Sequence, residues 1–263
     1  MRFKSFIIGI CWLISSVSIF SQQTSLFEKK QFIQNRDTLN YRIMYPKNFS
    51  KEKEYPVVLF LHGSGERGND NELQMVHGST LFSKKENREQ FPAIVLFPQC
   101  PEDDYWSNFE VDRSSFPILL NSKYNEPPTK ALQQVIALLE EITTKSYVNK
   151  NQLYVMGLSM GGMGTFELVY RKPNLFAAAI PICGAGDPEY VNEYAKSTPI
   201  WVFHGAKDTI VNPLQSVEMV SAILKAGGFP KFTLYDKANH NSWDNAFAEK
   251  DLLQWLFSQK LNK

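Results

Sequence analysis

Much of the usual repertoire of protein chemistry is missing from this 263-residue chain. It has three cysteines and four histidines, with no Gly-x-Gly-x-x-Gly read after an early strand, no Cys-x-x-Cys and no two histidines at ligand spacing, so neither a metal centre nor a cofactor is expected. A formal net charge of +1 with no run of like charge lacks the basic stripe that nucleic acid or an anionic membrane surface would require. Internal repeats and low-complexity tracts are absent too, and 43% hydrophobic with 21% charged residues is an ordinary globular composition for one domain. No apolar run reaches the ~20 residues of a spanning helix. The nearest, Phe6 to about Phe20, follows Arg2 and Lys4 and ends in small and polar residues, the pattern of a secretory signal peptide. The expected organisation is a signal peptide over 1–21, cleaved near Ser21, and a single domain over 22–263. That domain should be exported to the periplasm or the medium, with no membrane span after cleavage. Cys11, between Ile10 and Trp12, is poorly set for lipid attachment.

With Cys11 removed, Cys100 and Cys183 remain. Export permits a disulfide, but both residues fall at strand ends. In the expected strand order two other strands separate them, which at ~4.8 Å per strand exceeds the ~7 Å Cα separation a disulfide tolerates. Two buried free thiols are expected unless the loops fold toward each other.

The chain is organised around Gln152 to Gly164, where an apolar run ends in Gly157-Leu158-Ser159-Met160-Gly161 and becomes helical. Strand, sharp turn and helix are predicted. A serine at such an apex is backbone-strained, and the positions two before and two after it must be nearly free of side chain. The turn also sets the Met160 amide at a helix N-terminus, where unpaired N–H groups favour negative charge and make half an oxyanion hole. Gly-x-Ser-x-Gly alone arises by chance; the flanking strand and helix are the context that gives it meaning.

In chain order, Glu28–Ile33 and Leu39–Tyr45 suit a hairpin turned at Asn35-Arg36-Asp37. Val57–Leu61 reads as a strand buried on both faces. It runs into His62-Gly63-Ser64-Gly65-Glu66-Arg67-Gly68, whose glycines let the backbone turn N–H groups inward as a second oxyanion element requires. Ala93–Pro98 is a strand, Ala131–Thr144 an amphipathic helix, Phe176–Ile182 and Ile200–Phe203 strands, Pro213–Lys225 a helix, Phe232–Tyr235 the last strand and Asn245–Phe257 a closing helix. Strands alternating with helices imply a parallel sheet covered on both faces. The stretch 102–127 has no clear periodicity and is too long for a crossover loop; a lid or substrate wall and a plain surface insertion are equal alternatives.

A serine nucleophile needs a base held in one tautomer by a carboxylate. His62 belongs to the glycine loop, His77 has no partner in sight, and His204 at a strand end suits a structural role. His240, in the loop after the last strand, is left as the base, and Asp208, after the preceding strand, as its carboxylate. The order Ser159, Asp208, His240, each following a successive strand, resembles the α/β-hydrolase superfamily across essentially the whole chain beyond the signal segment. Within it, Leu61–Gly68, Pro98-Gln99-Cys100-Pro101 and His240-Asn241-Ser242-Trp243 look like the secreted prolyl-oligopeptidase-like and polyhydroxybutyrate-depolymerase-like branch. That branch includes feruloyl and acetyl esterases and proteins labelled as peptidases.

The resemblance implies an α/β-hydrolase fold, a mostly parallel doubly wound sheet with an N-terminal antiparallel hairpin. It also implies that the Ser64 amide, with Gly65 the nearest alternative, completes the oxyanion hole beside Met160. Trp106 and Tyr105 are candidate aromatic walls, as is Trp243, for which packing beside His240 is the plainer role. Glu66 and Arg67 are expected to brace the loop through polar contacts, with direct substrate contact the less favoured role. The expected activity is hydrolysis of carboxylic esters through an acyl-enzyme, on small or carbohydrate-linked esters. Peptidase and acyltransferase activities, or a binding protein that kept the fold, are the alternatives.

Overall fold

The computed structural model describes residues 25–261; the expected signal segment lies outside the described residues. In chain order the strands are β1 (Glu28–Gln34), β2 (Asp37–Met44), β3 (Tyr55–Leu61), β4 (Ile94–Pro98), β5 (Phe109–Asp112), β6 (Leu119–Ser122), β7 (Val148–Leu158), β8 (Ala178–Ile182), β9 (Trp201–Gly205) and β10 (Lys231–Tyr235). Eight of them form one sheet in the order β1-β2-β4-β3-β7-β8-β9-β10, and β5 and β6 pair only with each other. The β1–β2 hairpin is antiparallel, and β2 runs antiparallel to β4. From β4 to β10 every neighbour is parallel. Asn35 and Arg36 take positive φ in the hairpin turn, as a two-residue turn matched to strand twist requires.

Alternation along the strands divides the core in two. Val57, Leu59 and Leu61 face one layer with helices α3 (Lys130–Thr143), α4 (Met160–Arg171) and α5 (Leu214–Lys225). Val58 and Phe60 face the other, where α1 (Ser79–Ser83), α6 (Trp243–Ala248) and α7 (Leu252–Ser258) pack. A period of two on strands buried on both faces explains why they read as continuous apolar runs. A further short helix, α2 (Lys85–Gln90), carries no buried residue, so it offered no periodic pattern to read.

Three expectations need correction. The closing helix is two helices, broken at Glu249-Lys250-Asp251, where α6 ends with Glu249 in an extended conformation. The stretch 102–127 holds the β5–β6 hairpin, whose four-residue strands are too short for a periodicity to show. And Gly63, Gly65 and Gly68 do have the Gly-x-Gly-x-x-Gly spacing of a dinucleotide turn. They follow a strand but open a three-residue 3₁₀ turn, Ser64–Glu66, without the long helix whose N-terminus holds a pyrophosphate. Cys100 and Cys183 are both buried and free, as the two intervening strands β3 and β7 dictate.

Candidate active site

Ser159 stands between β7 and α4 with φ 53° and ψ −116°, a backbone state that costs on the order of 1–3 kcal/mol and persists only where its surroundings enforce it. They do so by close approach. A Cβ on Gly157 would collide with the Gly161 carbonyl, and one on Gly161 with the carbonyls of Leu61 and His62 at the end of β3. The Ser159 amide donates to Ile182 O at 2.8 Å and its carbonyl accepts from Met163 N at 3.0 Å. The apex is thereby tied to β8 on one side and to the first turn of α4 on the other.

His240 Nε2 lies 2.9 Å from Ser159 Oγ, and His240 Nδ1 lies 2.7 Å from Asp208 Oδ2. Because a carboxylate only accepts, Nδ1 carries the proton and Nε2 is left with a lone pair toward the serine hydroxyl. Asp208 is buried, and its side chain is the most heavily bonded group of the site. Oδ2 also accepts from His204 Nε2 at 3.1 Å, and Oδ1 accepts from the amides of Ile210 and Val211 at 2.8 and 2.9 Å. Burial alone would raise this carboxyl; the hydrogen bonds from His204 and His240 outweigh it and hold Asp208 below the usual carboxylate range. His204 is itself held by Ser216 Oγ at 2.7 Å from Nδ1, so its structural role is specific: it anchors the carboxylate. Spacing along the sequence gave no sign of that link.

The Met160 amide is the first of α4 and has no preceding helical carbonyl to bond. The Ser64 amide opens the neighbouring 3₁₀ turn, and this loop is tightly held. A Cβ on Gly63 would meet Leu158, which places the loop directly over the residue before Ser159. His62 is fully buried; Nδ1 donates to Gly63 O at 2.6 Å and Nε2 accepts from Cys100 N at 2.9 Å. Burial pushes this imidazole down to about 4, helped by the Arg67 charge and opposed by the Gly63 bond. Arg67 donates to Ser64 O at 3.1 Å and to Asp104 O at 3.2 Å, the bracing expected of it.

The aromatic candidates part ways. Trp243 is half-buried with its ring 5.5 Å from that of His240, within the site. Trp106 is not at the surface at all: it is 0% exposed, its ring 5.2 Å from His62 and its Cβ against Gly164. The expectation that it walls the substrate is corrected, because a large apolar ring beside a glycine notch gains more from burial than from water. His77 is corrected as well. It has a neighbourhood, with its ring 5.2 Å from Trp243 and Nε2 3.8 Å from Glu66 Oε1.

The β5–β6 hairpin flanks the site on another side. Ile118 packs with Met163, Ala185 and Val211, and its amide donates to Ile210 O at 2.8 Å. The hairpin's base is latched by Glu167, which is fully buried on α4. Its carboxylate accepts from Ser107 Oγ at 2.7 Å and Asn108 N at 2.6 Å, and pairs with Arg171 at 2.6 Å. Cys183 Sγ lies within 4.8 Å of acceptor atoms of Asp208 and His240. Burial, then the Asp208 charge, pushes that thiol up. A protonated thiol beside a carboxylate and imidazole already bonded to each other fits a hydrogen-bonded relay better than a cation.

A strained serine between strand and helix, relayed through histidine to a buried carboxylate, with the three residues beyond the ends of β7, β10 and β9 and β8 intervening after the first, is the architecture of the α/β-hydrolase superfamily. A family model described as phospholipase/carboxylesterase matches residues 48–251, and the chain belongs to that family. It is 32% identical to a thermostable esterase of known structure, with a TM-score of 0.80, covering 91% of this chain and 64% of that one. A ferulic acid esterase shares the fold at 19% identity and a TM-score of 0.66, over 88% of this chain and 97% of that one. Over 90 residues the chain is 29% identical to a bifunctional acetylxylan esterase/xylanase of Neocallimastix patriciarum, a match spanning 34% of this chain and 13% of that protein. The chain therefore spans less than two thirds of the length of the thermostable esterase and matches a small part of the acetylxylan enzyme.

Proposed function

We propose that the protein is a serine hydrolase that cleaves carboxylic esters through an acyl-enzyme. The observation that carries this is the relay from Asp208 through His240 to Ser159, at 2.7 and 2.9 Å. Ser159 Oγ attacks the ester carbonyl carbon as its proton passes to His240 Nε2, and the carbonyl electron pair becomes an oxyanion facing the amides of Met160 and Ser64. Collapse breaks the bond to the alcohol oxygen, which takes the proton from His240. Water then repeats the sequence on the acyl-enzyme and releases the acid. Family membership and the 32% identical esterase support esters over peptides. Chemistry agrees, since an amine is a poorer leaving group and demands more binding energy for orientation.

The one-domain organisation over 22–263 and export are part of the same reading. Arg2, Lys4 and the apolar run after them support export, and among the described residues no helix is long and apolar enough to cross a membrane. N-terminal sequencing of the exported protein checks the cleavage near Ser21. The activity is tested by kcat/KM on acetyl, butyryl and feruloyl esters beside a peptide panel, with Ser159→Ala as control. Ester turnover should exceed peptide turnover and fall on the order of 10⁶-fold in kcat in the variant. Peptide turnover equal to ester turnover, or a few per cent of activity surviving in Ser159→Ala, overturns it.

A further inference from the structure

In that reaction His240 must hand its proton to the departing alcohol oxygen, so the alcohol lies within hydrogen-bond reach of Nε2 and its substituents lie against whatever flanks the imidazole. On one flank the Trp243 ring stands at 86° to the His240 ring, and the His77 ring is tilted 50° to Trp243. Behind His77 is the Glu66 carboxylate, 3.8 Å from Nε2, beyond hydrogen-bond distance. Three separate stretches converge here: the glycine loop with Glu66, the turn after the 3₁₀ segment Leu73–Met75 with His77, and the first residue of α6.

The Glu66 carboxylate is 14% exposed and His77 31% exposed. Among the described residues neither side chain has a protein hydrogen-bond partner, although both stand in the site. Groups this enclosed are satisfied by solvent only until a ligand with its own hydroxyls replaces that solvent. An indole face beside a carboxylate and imidazole paired only with each other, at 3.8 Å, is suited to a molecule with a C–H face to lie on the ring and hydroxyls at its edge. An alkyl alcohol would satisfy the ring and strand the other two groups.

We propose that Glu66, His77 and Trp243 form the subsite for the leaving alcohol and select a polyhydroxylated, sugar-like alcohol over an alkyl one. The proposal rests on the ester-hydrolase reading. Its test compares two acetates, of a methyl glycoside and of ethanol, which pass through the same acetyl-enzyme and differ only in the alcohol; the difference in leaving-group reactivity cancels when each variant's ratio is divided by that of the wild type. The ratio of their kcat/KM values should favour the glycoside in the wild type. It should fall about tenfold in Glu66→Ala and in His77→Ala, the scale of one lost hydrogen bond, with partial recovery in Glu66→Gln and His77→Gln. It should fall also in Trp243→Leu, which keeps apolar bulk without the ring face. In parallel, methyl glycoside titrated into the Ser159→Ala protein should change tryptophan fluorescence, and the change should be lost when Trp243→Phe is added. Ratios within twofold of wild type in all three truncations, with Ser159-dependent hydrolysis intact, overturn the subsite alone. Hydrolysis of neither ester by the wild type, with no fluorescence response, overturns both the subsite and the reading beneath it.

Discussion

The part of the site carried by the main sheet and the hairpin beside it are built on different principles. Ser159, Asp208 and His240 follow the ends of β7, β9 and β10, so their spacing is set by backbone hydrogen bonds between parallel strands. The β5–β6 hairpin adds no strand to that sheet and is held chiefly by side chains, above all the buried Glu167 with Ser107, Asn108 and Arg171. A backbone ladder fixes the strand ends from which the relay's loops spring; a side-chain latch can be released on its own. On the proposed reading the difference separates reaction from shape: the chemistry would sit on the rigid part, and the neighbouring surface on a part that can change without disturbing it.

The separation can be broken from either side. Asp208→Asn should lower kcat on the order of 10⁴-fold for every ester, by allowing the wrong tautomer of His240; steady-state kinetics check this, and a loss confined to some substrates would mean that the carboxylate acts on binding. Glu167→Ala leaves Arg171 without its carboxylate and frees the hairpin base. It should cost about 3–5 kcal/mol, a fall in Tm on the order of 10 °C, while small-ester turnover measured well below the transition keeps its order of magnitude. Calorimetry beside kinetics reads both, and a loss of kcat as large as that of Asp208→Asn would join what the fold divides.

The glycine loop next to Ser159 stands between these two cases, because a buried imidazole holds a backbone turn. His62 is pushed from 6.5 down to about 4 by burial. Between those values the unfolded chain binds a proton that the folded chain does not, so stability is fully present above pH 6.5 and declines toward pH 4. The loss is about 3 kcal/mol at ~1.4 kcal/mol per pH unit. Urea unfolding at pH 7.5 and 4.5 measures it, and His62→Gln should flatten that portion of the slope. An unchanged slope would mean that another group sets the acid sensitivity. The smallest effect expected is that of His204→Ala, which removes one of four hydrogen bonds to the Asp208 carboxylate and should cost about 1.5–3 kcal/mol. Equilibrium unfolding reads it, and a cost near zero would show that the remaining three bonds suffice.

How far the sequence could be read follows from which contacts are local. The elbow was legible because Gly157, Ser159 and Gly161 are neighbours in the chain and a strained turn leaves its glycines where the backbone needs them. Asp208 and His240 were legible because a parallel sheet places successive strand ends side by side, so order along the chain becomes proximity. Strands buried on both faces announced themselves as apolar runs. Composition and order by themselves thus determined the fold class and the three residues of the relay.

The rest was decided by contacts between residues far apart in the chain. That Trp106 fills a notch at Gly164 instead of facing substrate depends on a contact 58 positions away, and nothing in the local pattern of 102–127 distinguishes a buried indole from an exposed one. His77 looked isolated because its neighbours, Glu66 and Trp243, belong to a loop before it and a helix far after it. The bond from His204 to Asp208 spans only four residues, yet it forms because the chain leaves β9 and turns back on itself, and the hairpin exists because Glu167 waits on another element to latch it. Side chains meet according to how strands and helices stack, and that stacking is set by the burial of the whole core, which no single stretch of sequence contains.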